Sequence, residues 1–111
     1  MDINEKYEND VMILELKGRL DANTSEQLEK KLIPPINNDK YLKIIIDFAD
    51  LEYISSAGLR LLLLAAKKLD KKDGKIVLCA MQDFIKEVFE ISGFTPIFPI
   101  TEDQEKALAK F

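Results

Sequence analysis

Apolar residues fall along this chain in short blocks of two alternating kinds. Val11-Met12-Ile13-Leu14-Glu15-Leu16 is a brief, nearly continuous apolar run bounded by Asn9-Asp10 and Gly18, the signature of a buried strand. Ile3–Tyr7 is expected to pair with it across a turn at Glu8-Asn9-Asp10. Thr24-Ser25-Glu26-Gln27 has capping-box spacing, with Thr24 placed to accept from the Gln27 amide. The helix that follows points Leu28, Leu32 and Ile36 inward, and Pro34-Pro35 is expected to disturb its end. Leu42–Phe48, rich in β-branched residues, reads as a central strand. Ser56–Lys71 is a helix of Leu, Ala and Lys with no proline. Lys75–Cys79, after the turn signal Asp73-Gly74, is a second buried strand. Asp83–Ser92 carries Phe84, Ile85, Val88, Phe89 and Ile91 at helical spacing and stops at Gly93. Pro96–Ile100 is expected as a short edge strand, and Thr101-Glu102-Asp103-Gln104 as a capping box that opens a last helix. The order β-β-α-β-α-β-α-β-α is that of an α/β fold, a mixed, mainly parallel β-sheet flanked by about four helices.

Composition narrows the function more than the fold. The 111 residues, 47% of them hydrophobic and 32% charged, suit one domain over residues 1–111 with its own core. No internal repeat or low-complexity tract interrupts them. With 16 Lys and Arg against 20 Asp and Glu the net charge is −4, which disfavours direct nucleic-acid or anionic-membrane binding. The single cysteine, Cys79, fits a reducing compartment. No apolar stretch approaches a membrane span, and the start Met1-Asp2-Ile3-Asn4 lacks a signal-peptide core, so a cytoplasmic protein without membrane insertion is expected. Histidine is absent, which removes Ser-His nucleophiles, His bases and His-ligated metals. Neither Ser55 nor Ser56 begins a Ser-x-x-Lys pattern, since Leu59 stands three after Ser56. No enzyme, catalytic residue, metal or cofactor is expected.

Candidate chemistry gathers where the central strand meets the apolar helix, over Asp47–Arg60. Ser55 and Ser56 fall at the helix start, where one of them serves as N-cap. A hydroxyl there is also well placed to carry phosphate, because free amides and the helix dipole favour added negative charge. Asp21 reads either as a turn residue at the entry to the first helix or as part of a binding end. Asp47 and Asp50 read as strand-end and turn residues. Lys67, Lys68, Lys71, Lys72 and Lys75 read as a solvated helix end, favourable near the helix C-terminal dipole. Of the leucines in the Ser56–Lys71 helix, most are expected in the core. Leu63, on one line with Ser56, Arg60 and Lys67, is expected at an interface.

Gly18-Arg19-Leu20-Asp21-Ala22-Asn23-Thr24, Asp47-Phe48-Ala49-Asp50-Leu51, Tyr53-Ile54-Ser55-Ser56-Ala57-Gly58-Leu59 and Phe89-Glu90-Ile91-Ser92-Gly93-Phe94 together resemble the bacterial anti-sigma factor antagonists of the STAS domain family. The resemblance spans nearly the whole chain. It implies a protein-binding regulator that, unphosphorylated, binds an anti-sigma factor serine kinase and frees its sigma factor; phosphorylation releases the partner, and a serine phosphatase restores binding. The family motif Asp-Ser-Ser/Thr/Ala-Gly-Leu-Gly places the phosphoacceptor on Ser56. Here the motif's Asp is Ser55, a second candidate acceptor, and its last Gly is Arg60. The implied partner surface comprises Asp21, Asn23, Thr24, Ser55, Ser56, Gly58, Arg60 and Leu63. Since the family also contains regulatory subunits of membrane lipid transporters and of other signalling complexes, a cytoplasmic subunit of that kind is the alternative.

Overall fold

The computed structural model describes all of residues 1–111. Strands β1 (Asp2–Glu8) and β2 (Val11–Leu20) form an antiparallel hairpin. Asn9 at its tip takes φ 55°, a left-handed conformation that asparagine tolerates better than most residues. Helix α1 (Ser25–Asn37) leads to β3 (Lys43–Ile54), α2 (Ser56–Asp70) to β4 (Lys75–Cys79), and α3 (Asp83–Ile91) to β5 (Ile100–Thr101), before a short α4 (Gln104–Leu108). The sheet order is β1-β2-β3-β4-β5, and every pair after the hairpin is parallel. This is the mixed, mainly parallel sheet with four flanking helices that the pattern implies.

Alternation along the strands sorts residues to two unequal faces. Met12, Leu14, Leu16, Ile44, Ile46, Ile76 and Leu78 join the large core with α1, α2 and α3. Val11, Ile13, Ile45, Val77 and Cys79 form a smaller cluster beneath Ala107 of α4. Phe89 meets Phe48 and Phe98 edge-on, with ring centroids 6.0 and 5.9 Å apart, and so joins α3 to the sheet.

Four local expectations are corrected. The central strand does not end at Phe48 but runs to Ile54, because β3 spends one extra residue between Asp47 and Asp50 and another between Leu51 and Tyr53. These bulges replace strict alternation with a spacing of three, so Phe48, Leu51 and Ile54 are all buried. Asp47 and Asp50 therefore lie inside a strand. Pro34-Pro35 does not end α1 early: the amides of Asn38 and Lys40 donate to the Pro34 and Pro35 carbonyls at 3.1 and 2.8 Å. The carbonyls deprived of partners belong to Lys30 and Lys31, which are exposed to water. The strand expected over Pro96–Ile100 shrinks to Ile100–Thr101, preceded by a 3-10 turn at Thr95–Ile97. Pro96 and Pro99 have no amide to give a ladder, while Phe98 turns into the core at 4% exposure. The last helix is capped by Asp103, whose carboxylate accepts from the Lys106 amide at 2.8 Å, and not by Thr101.

The lysine run is also less idle than its composition suggests. Lys72 Nζ donates to the Ile36 and Asn37 carbonyls at 2.8 and 3.1 Å and to Asp39 Oδ1 at 2.8 Å. It thereby caps the C-terminus of α1, a neighbouring helix, with a cation where the dipole is negative.

Candidate functional site

β2 and β3 are parallel neighbours, so the segments leaving their C-terminal ends emerge side by side. The Ser55 amide donates to the Leu20 carbonyl at 2.8 Å, which extends the β2–β3 pairing one residue past β3. This bond places the Asp21–Thr24 turn next to the start of α2. Of the expected surface residues, Asp21, Asn23, Thr24, Ser55 and Ser56 are thus collected at one end of the sheet.

Each member has a defined local role. Ser55, at φ −95° and ψ 172°, is the N-cap of α2, and its hydroxyl accepts from the Gly58 amide at 3.3 Å. Ser56 occupies the first helical position and is exposed. Gly58 is buried: a Cβ there would lie 2.7 Å from Leu20 Cγ and 3.1 Å from Ile54 Cγ1. Its expected place on the binding surface is therefore corrected. Gly58 lets α2 seat against Leu20 and offers no side chain to a partner.

The Asp21–Thr24 turn is closed differently from a capping box. Thr24 makes no side-chain cap bond to α1. Its hydroxyl instead donates to the Arg19 carbonyl at 2.7 Å and accepts from the Asp21 amide at 2.9 Å. The Asp21 carboxylate accepts from the Asn23 and Thr24 amides at 2.9 and 3.1 Å. Chiefly the Thr24 amide holds the Asp21 carboxyl below its ordinary pKa, with Asn23, the Thr24 hydroxyl and Arg19 adding to it and burial opposing. Asp21 is thus a working turn residue, and it sits at the same end of the sheet as the start of α2.

Beyond these residues the end carries side chains that sequence reasoning did not single out. The Arg19 guanidinium lies 4.2 Å from the centre of the Tyr53 ring, with its Nε 4.0 Å from Asp21 Oδ2. Arg19 and Tyr53 are paired across β2 and β3, a register visible only once the bulges are known. Along α2, Arg60 is exposed as expected, but Leu63 is half-buried. The exposed leucine is Leu64, at 41%. With Ser25, Glu29, Ala57, Arg60 and Leu61 it lines a shallow cleft between the first turns of α1 and α2.

Chemically, this end presents a hydroxyl on the positive end of a helix dipole, with a carboxylate turn on one side and a shallow cleft of mixed polar and apolar lining on the other. That suits a surface contacted by a protein and a group receiving a phosphoryl from elsewhere.

The STAS domain family model matches residues 2–107 of the chain. A Bordetella bronchiseptica protein named BtrV, assigned as an anti-sigma factor antagonist, is 42% identical over 101 residues, covering 91% of this chain and 86% of that protein. Among solved structures, a Thermotoga maritima chain assigned as an anti-sigma factor antagonist superposes with a TM-score of 0.91 at 21% identity, covering 97% of this chain and 92% of that one. The phosphorylated form of the Bacillus cell fate determinant SpoIIAA superposes with a TM-score of 0.80 at 24% identity, covering 98% of each.

Proposed function

The chain belongs to the STAS domain family, alongside relatives named anti-sigma factor antagonists, and we propose that it is a phosphorylation-gated protein-binding regulator of that kind. Unphosphorylated, it binds an anti-sigma factor that is a serine kinase and so frees the sigma factor. The kinase phosphorylates Ser56, the modified protein lets go, and a serine phosphatase resets it.

The observation that carries this reading is the division of labour between adjacent serines. Ser55 is tied down by its amide to Leu20 and by its hydroxyl to Gly58, so Ser56 can be modified without loss of the cap. A phosphate on Ser56 adds a charge of about −1.5 to −2 at a helix N-terminus, where the dipole favours it. The fold has no reason to rearrange. At an interface shaped for a hydroxyl, the same desolvated dianion costs several kcal/mol unless paired, and a loss of ~3 kcal/mol weakens binding more than a hundredfold.

The test is to incubate the protein with ATP and the serine-kinase anti-sigma factors of its own genome, then map phosphate by mass spectrometry in wild type, Ser55→Ala and Ser56→Ala. Label on Ser56 that vanishes only in Ser56→Ala supports the assignment. Label on Ser55 in all chains that retain it would move the acceptor by one residue.

A further inference from the structure

The third helix carries an apolar stripe that the core covers only at Val88. Of Phe84, Ile85, Val88, Phe89 and Ile91, the apolar residues at helical spacing, only Ile85 and Phe89 are buried. Phe84 is 46% and Ile91 80% exposed, and Val88 is half-buried. Phe84, Val88 and Ile91 are spaced i, i+4, i+7 and therefore form one stripe on the flank of α3. Ile97, 46% exposed, follows in the turn after the helix. Three of the protein's exposed large hydrophobic residues thus sit in this one region. At 100° per residue Glu87 borders the stripe beside Ile91, Asp83 and Glu90 lie further round the outer face, and Lys86 lies beyond them, opposite the stripe.

We propose that this stripe docks an amphipathic helix of a partner protein that has Lys or Arg beside its apolar face. The acidic border selects the occupant. An anionic membrane surface would be repelled by three carboxylates. A second copy packed about a two-fold axis would bring the same acids against each other. A basic amphipathic helix matches both the apolar stripe and its border. This surface lies on the flank of the helix side of the sheet and shares no residue with the Asp21–Ser56 end, so it stands whether or not Ser56 is the acceptor.

The probe is a synthetic Leu/Lys peptide with Leu at i, i+3, i+4 and i+7, set against a scrambled peptide of identical composition, with binding read from amide shifts of the labelled full chain. The patterned peptide is expected to shift amides within residues 84–91 and to bind at least tenfold tighter than the scramble. Ile91→Asp is the deciding variant. At 80% exposure it leaves the fold intact, and it adds a negative charge. A purely Coulombic attraction would then strengthen, whereas docking on the stripe weakens by about tenfold or more, the scale set by one buried isoleucine. Unchanged or tighter binding in Ile91→Asp overturns the proposal, as do shifts centred outside α3. Self-association of the free chain that Ile91→Asp abolishes would assign the stripe to a second copy instead.

Discussion

The Ser55 amide donates to the Leu20 carbonyl at 2.8 Å, and the Leu20 side chain in turn fills the space beneath Gly58. Leu20 thus meets the start of α2 twice, through its carbonyl at Ser55 and through its side chain under Gly58 one turn further on. The orientation of α2, and with it the exposure of Ser56, is set by this pair.

Gly58→Ala tests that relationship. A Cβ would come within 2.7 Å of Leu20 Cγ, and Leu20 is fully buried with nowhere to move. Overpacking costs about 1–3 kcal/mol, more than the up to about 1 kcal/mol that alanine gains over glycine in a helix. Chemical denaturation is expected to show a net loss, and partner binding is expected to weaken because α2 must shift. An equal or higher midpoint would mean that Gly58 is not the seat of the helix.

The Asp21 turn is expected to weaken in acid. Its carboxyl is held below the ordinary value of 3.8, so the ionised form is favoured by folding. That contribution is complete above the unfolded pKa and is lost as pH falls through the lower folded one. Carbon-detected titration is expected to place the Asp21 midpoint below ~3.9, the free aspartate value. Asp21→Ala, which strips the Asn23 and Thr24 amides of their acceptor, is expected to lower the thermal midpoint at neutral pH and to have little effect once the pH is below the folded-state pKa.

Much of the architecture was legible because strand and helix periodicities were clear in β2, α2 and β4. The losses share a cause: tertiary partners overrode local rules. The bulges in β3 are defined only against its partner β2, so the strand's extension to Ile54 and the Arg19–Tyr53 pairing leave no local pattern to read. α1 runs through Pro34-Pro35 because Ile33 and Ile36 are buried beyond Leu28 and Leu32 and because Lys72, distant in sequence, caps its end. The serine pair and Asp21 were legible from motif spacing. Leu64 was not, because a helix apolar on several sides does not reveal which flank its neighbours leave open.

Lys72→Met checks the cross-helix cap. It keeps the apolar stem and removes the donors to Ile36, Asn37 and Asp39. For a partly exposed charged donor the expected loss is about 1 kcal/mol, with faster amide exchange confined to the last turn of α1. Uniform protection there would show that water replaces the ammonium at no cost.

Cys79 is expected to be inert. It is fully buried, and burial first, then the negative charges of Asp47, Asp103 and Glu15, push its thiol up to about 12. Since the thiolate is the reactive form, iodoacetamide at pH 8 is expected to label the native protein only as fast as it unfolds and to label the denatured chain readily. Rapid stoichiometric labelling of the native state would contradict the packing beneath α4.

The proposed switch requires Ser56 to act at the interface while the fold stays fixed. The most direct measurement is calorimetric titration of the kinase partner with the unmodified protein and with protein phosphorylated on Ser56, each checked by thermal melting. The phosphorylated form is expected to lose affinity by about a hundredfold or more while melting within a few degrees of the unmodified one. Equal affinities, or a phosphorylated form whose α2 has lost its cooperative melting, would contradict the proposed switch.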